Sequence, residues 1–65
     1  MKIQYFEDTD ILHIRFLTDS PVETRDLDDN TFIDLDEQGR ICGITLEHAR
    51  ERIGNPEVTY ERVLT

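Results

Sequence analysis

The residues whose types and spacing most resemble working chemistry lie between Asp34 and Ile41. Asp34-x-Asp36-x-Gln38-Gly39-x-Ile41 reproduces the first eight positions of an EF-hand calcium loop. Calcium takes about six to eight oxygen ligands, which such a loop draws from positions including 1, 3, 5, 7 and 12. Here position 5 is Gln38, and position 12 is Thr45 where a bidentate Glu is needed. The flanking residues are strand formers, whereas an EF-hand has helices. The stretch therefore reads as an acidic strand entering a glycine hairpin, with Asp34 and Asp36 as the candidate metal ligands. Asp26-x-Asp28-x-Asn30 departs further, because Thr31 stands where the sharp turn needs Gly.

Histidine titrates near neutrality, and the chain has two, His13 and His48. Neither comes with the nucleophile, orienting partner or further ligands that catalysis or metal binding requires, so both read as surface residues. Cys42 is the only cysteine. It falls on the inward side of its strand, where a thiol behaves as a small hydrophobe. No catalytic set, metal cage or cofactor motif can be assembled, and a non-enzyme without cofactor is expected.

The elements that hold these residues follow from short apolar segments separated by turn clusters. Lys2 to Phe6 reads as a strand ended by Glu7-Asp8-Thr9-Asp10. Ile11 to Leu17 is another, with Leu12, Ile14 and Phe16 on one face and His13 and Arg15 on the other. Thr18-Asp19-Ser20-Pro21 is a turn, Val22 to Leu27 an exposed or edge strand, and Asp28-Asp29-Asn30 a second turn. In the next hairpin Ile33 and Leu35 point inward, as do Cys42, Ile44 and Leu46. Both sets share a face if Leu35 opposes Cys42 and Ile33 opposes Ile44. That register predicts an even loop, since a three-residue loop turns one strand inside out. Gly39 supplies the positive φ for the turn.

A short helix is expected over Glu47 to Ile53, stopped by Gly54-Asn55-Pro56. The fold class is thus α+β: a small antiparallel meander of four to five short strands, then one short helix. Residues 1–56 form this sheet-plus-helix domain. Residues 57–65 form a tail that docks on its own or a neighbouring subunit through Val58, Tyr60, Val63 and Leu64. On the outer face His13, Arg15, Glu23, Arg25, Asp34 and Asp36 make a mixed-charge ladder, beside Phe32 and Ile41. Those two apolar residues and the four of the tail are the expected interface.

Sixty-five residues allow one domain with a thin stability margin. With 37% hydrophobic and 34% charged residues and a lone cysteine, neither a large core nor a disulfide framework is available. A shared core with a second copy is the remaining device, so a homodimer or higher oligomer is expected. The formal charge of −8 repels nucleic-acid phosphates and anionic lipid, and favours a basic protein as partner. Residues 1–20 carry acids throughout and lack a leader pattern, and no segment approaches a membrane span, so a cytoplasmic location is expected.

The stretch from Tyr5 to Ala49 resembles the small bacterial proteins catalogued as domain of unknown function 2283. The resemblance rests on Tyr5 followed by Asp10-Ile-Leu-His-Ile14, on Glu23-Thr24, and on Ile33-Asp-Leu-Asp36 leading through Gly39-Arg40 to Gly43-Ile44. It implies a sheet-plus-helix fold and a bacterial origin, with no activity or catalytic residue to carry over. The chain departs from the pattern at His13, where an aromatic is commoner, and at His48-Ala49-Arg50, where Asp-Ala-Ser is commoner. The second departure removes a helix cap. The functional expectation is a non-enzymatic acidic interaction module that neutralises or regulates a basic partner. The alternative is a small-molecule or cation-binding domain using the acidic hairpin.

Overall fold

The computed structural model describes residues 1–16 and 20–65. Five antiparallel strands make one sheet: β1 (Lys2–Phe6), β2 (Ile11–Arg15), β3 (Glu23–Asp28), β4 (Thr31–Leu35) and β5 (Ile41–Glu47). One helix, α1 (Ala49–Ile53), follows. The spatial order is β1-β2-β5-β4-β3. A β1–β2 hairpin and a β3–β4–β5 meander are thus joined side by side through β2 and β5. Part of the expected turn at Thr18-Asp19-Ser20-Pro21, and the end of the second expected strand at Leu17, lie outside the described residues.

Alternation gives the sheet one apolar and one polar face. Cross-strand partners line up in rows on the apolar face. Nearest the helix lie Tyr5, Leu12, Leu46 and Thr31, followed by Ile3, Ile14, Ile44 and Ile33. The polar face carries Gln4, His13, Thr45, Phe32 and Asp26 in one row, and Lys2, Arg15, Gly43, Asp34 and Thr24 in the next. Phe32 thus shares a face with His13 and Asp34, as expected. Glu23 and Arg25 do not, because they oppose Leu35 and Ile33 and so belong to the apolar side. Leu27, in a bulge between Asp26 and Asp28, is exposed.

The β4–β5 hairpin departs from the even-loop expectation in an instructive way. Ile33 opposes Ile44 as expected, but Leu35 opposes Ile41, not Cys42. The Asp36 N–H donates to the Arg40 carbonyl at 3.0 Å, enclosing a three-residue loop, and the Gly39 N–H donates back to the Asp36 carbonyl at 3.0 Å. An odd loop alone would expose one strand's apolar set. A β-bulge at the Asp34/Leu35 step of the register takes up the extra residue, so Leu35 and Cys42 are both buried.

The helix is shorter than expected, since Glu47 belongs to β5. It is tied to the end of the sheet where the first apolar row lies, with Ala49 completely buried, while Arg52 donates to the Asn30 carbonyl at 2.8 Å and to Thr31 Oγ1 at 2.7 Å. Residues 57–65 belong to no helix or strand and their side chains are exposed in the single chain. Among the described residues no helix is long and apolar enough to cross a membrane.

The bulge makes Cys42 a test of the whole hairpin. Its thiol is 1% exposed and donates to the Asp34 carbonyl at 3.4 Å. Thiol labelling in native buffer is expected to be at least about tenfold slower than in denaturant, because the sulfur is shielded. Equal rates in both would show that β5 is turned the other way.

Candidate functional site

Two carboxylates organise most of the polar geometry. Asp10 closes the β1–β2 turn in left-handed backbone, φ 56°, a conformation that Asp tolerates better than most residues. Its Oδ1 accepts the Tyr5 hydroxyl at 2.7 Å and the Arg50 N–H at 2.9 Å, while its carbonyl accepts the Ala49 N–H at 3.0 Å. Asp10 therefore caps α1 from across the chain. The residue at the local cap position, His48, has φ 56° and makes no capping bond with its side chain. The missing local cap at His48-Ala49-Arg50 is thus supplied from elsewhere. The Tyr5 hydroxyl and then the Arg50 N–H hold the Asp10 carboxyl below its ordinary value. The same hydrogen bond, seen from Tyr5, raises the phenol.

Asp36 does the equivalent work in the acidic hairpin. Burial pushes its carboxyl up, but the Arg40 N–H, the Arg40 guanidinium and the Gln38 N–H together outweigh burial and hold it below the ordinary value. Oδ1 accepts from the Gln38 and Arg40 N–H groups, both at 2.9 Å, and Oδ2 from Arg40 Nε at 2.9 Å. Asp34 is committed too. Its Oδ1 accepts the Thr24 hydroxyl at 2.8 Å, and its Oδ2 lies over Gly43, where a Cβ would come within 3.1 Å of it and 3.3 Å of the Ile14 carbonyl. Glycine at 43 is what lets that carboxylate lie flat on the sheet.

The calcium-loop resemblance is therefore the signature of a hairpin whose oxygens already have partners. A cation at Asp36 would have to displace Arg40. Among the described residues no group of three or more His, Cys, Asp or Glu could hold a metal ion. An open depression beside the hairpin, about 320 Å³, is lined by Ser20, Val22, Asp36, Glu37 and Gln38.

The remaining sequence candidates are dispersed. His13 is half-buried on the polar face with Nδ1 2.9 Å from Thr45 Oγ1, whereas His48 is exposed with Nδ1 3.8 Å from Glu51. Phe32 is half-buried and Ile41, at the bulged end of β5, is 46% exposed. Val58, Tyr60, Val63 and Leu64 are all exposed. Sequence reasoning assigned no role to Asp10 or Tyr5, because the helix residues that Asp10 caps, Ala49 and Arg50, lie some forty residues away. The only available signal was the tyrosine placed before an acidic turn.

Asp10 and Asp36 both have depressed values in the fold, so each adds stability that is fully present above the unfolded carboxylate value of about 3.9. That stability is lost as pH falls through the depressed values. Melts taken from about pH 6 down to about pH 2 should show a falling Tm below about pH 4. Asp10→Asn and Asp36→Asn should each lower Tm at pH 6 and flatten its acid dependence; an unchanged slope in both would assign acid sensitivity elsewhere. At Gly39, φ 79°, a Cβ would meet nothing within 4 Å, so the cost of Gly39→Ala is conformational alone. Denaturant unfolding should show a loss of about 1 kcal/mol, with Asn costing less.

A comparison with curated proteins and one with solved structures each found no match. A family described as protein of unknown function (DUF2283) matches residues 2–50, which span the whole sheet and the first two residues of α1. The matched region contains both carboxylate devices, Tyr5 with Asp10 and Asp36 with Gly39 and Arg40. It stops before the tail. The chain belongs to the DUF2283 family.

Proposed function

We propose that this chain is a non-catalytic interaction module that engages a basic protein through one acidic end of its sheet. The observation that supports this is where the acids lie. The β1–β2 turn, the β3–β4 turn and the start of α1 meet at the same end of the sheet, held by bonds from Ala49 to Asp10 and from the Glu47 N–H to the Asn30 carbonyl. Glu7, Asp8, Asp28, Asp29 and Glu51 are exposed there. Arg52, the nearby cation, is drawn inward to Asn30 and Thr31 and lies 3.7 Å from Asp28. Arg50 lies over the Tyr5 ring, 5.9 Å from its centroid. The protruding charge at this end is therefore negative, and such a surface steers a basic partner and selects against acidic ones.

Binding of this kind weakens as salt screens it. Proteins retained by the full chain from its own cell lysate should include a basic protein. Its affinity should fall at least about tenfold as salt rises from about 0.05 to about 0.5 M. The triple reversal Glu7→Lys, Asp8→Lys and Asp29→Lys should weaken it comparably, while Glu37→Lys at the opposite end should not. Salt-independent capture, or equal effects of the two sets, would overturn the reading.

A further inference from the structure

The β3–β4 turn and the end of β5 form a receptacle for a guanidinium group. Four acceptors converge on the Arg52 side chain: the Asn30 carbonyl at 2.8 Å, Thr31 Oγ1 at 2.7 Å, the Glu47 carbonyl at 3.4 Å and, at ion-pair distance, Asp28 Oδ2 at 3.7 Å. Nη1 serves the two carbonyls, and Nη2 the hydroxyl and the carboxylate. That division suits a planar fork of N–H donors and not the point charge of an ammonium. The acceptors are themselves fixed. The Asn30 N–H donates to Asp28 Oδ1 at 2.8 Å, and with the Thr31 hydroxyl it holds the Asp28 carboxyl below its ordinary value. The Asn30 carbonyl is tied to β5 by the Glu47 N–H at 2.8 Å.

The element that fills this receptacle is lightly held. Helix α1 has five residues, of which Ala49 alone is buried, while Ile53 is 54% exposed. A helix so short persists only while it is packed or capped, and here the packing comes down to one methyl group. The bonds made by Arg52 are therefore a large part of what keeps α1 on the sheet.

We propose that the receptacle is an arginine-binding site, filled in cis by Arg52, and that an arginine of the basic partner takes it over by displacing Arg52 and releasing α1. The proposal rests on the acidic-end reading for its partner, whereas the receptacle itself stands without it. Chemistry selects the occupant. The acceptors already hold a guanidinium, and the Asp28 side chain, 60% exposed, leaves the site open to an incoming one. Glu7, Asp8 and Asp29, exposed at the same end, steer a cation towards it. Arg52 is then a built-in competitor, and the apparent affinity for the partner is scaled by the fraction of chains in which Arg52 has left the site.

Two arms test this, the first without any partner. Arg52→Ala empties the receptacle and should lower Tm. Methylguanidinium at about 50 mM should restore at least about half of the lost Tm, and methylammonium less than about a quarter, each read against the wild-type chain in the same salt. Equal recovery with the two cations, or none with either, would overturn the site. In the second arm acetyl-triarginine amide is titrated into the wild-type chain and into Arg52→Lys, which keeps the charge, loses the fork and fills the space. The variant should bind it at least about threefold more tightly than wild type, with acetyl-trilysine amide unchanged within about twofold. Hydrogen exchange on the wild-type chain with triarginine bound should quicken at the Arg52 and Gly54 amides, which close α1 on the His48 and Arg50 carbonyls, and stay slow along β5. Equal triarginine binding by the two chains, or protection of α1 on binding, would overturn the exchange; where Arg52→Ala does not fold, this arm alone decides. Failure of the acidic-end reading shows separately, as salt-independent capture by the wild-type chain, and leaves the methylguanidinium rescue intact.

Discussion

Asp10 receives, on one carboxylate oxygen, the hydroxyl of a strand residue and the backbone N–H of a helix residue, while its own carbonyl takes the neighbouring helical N–H. A five-residue helix has no standing of its own in water, because nucleating the first turn costs more than so few bonds return. Its existence here depends on being held at its N-terminus by a residue already fixed in a hairpin turn. The left-handed backbone of Asp10 aims its carboxylate and carbonyl at the helix together. Once α1 is set, Ala49 is buried and Arg52 reaches across to Asn30 and Thr31, so the β3–β4 turn is tied to the same point. The β1–β2 hairpin and the β3–β4–β5 meander are thus joined twice, by the β2–β5 ladder and by this cap.

Asp36 shows the same economy at the other end of the sheet. A carboxylate 3% exposed is costly to bury ionised unless donors surround it. The loop places two backbone N–H groups and a guanidinium against it, and Gly39 provides the positive φ that turns the chain back. Asp34, Asp36, Gly39 and Gly43 each have a steric, conformational or hydrogen-bonding reason within the sheet. The regular spacing that suggests calcium is the spacing of a turn that satisfies its own polar groups.

Much of the sheet was legible because period-two alternation is a direct print of burial: Leu12 with Ile14, Ile33 with Leu35, and Cys42 with Ile44 all fall inward. Three things were not legible. The bulge in β5 leaves no compositional mark, since Ile41 and Cys42 read as ordinary strand residues. The facing of Glu23 and Arg25 was misread because an exposed edge strand carries charges on both faces and gives alternation nothing to report. The Asp10 cap joins residues about forty positions apart, beyond any local pattern. The family resemblance spanned the right residues without supplying a reason for them, and the reason came from hydrogen-bond partners.

The three-residue loop and the bulge in β5 also bear on how such a hairpin can change length. The pleat acts as a reading frame of two: one added residue inverts every side chain downstream, and a second restores the sense. In this hairpin the loop contributes one frameshift and the bulge its suppressor. Neither can be gained or lost alone without turning Cys42, Ile44 and Leu46 out to solvent. Loop length and bulge must therefore change together, and a variant with a two- or four-residue turn keeps its apolar face only with β5 running straight.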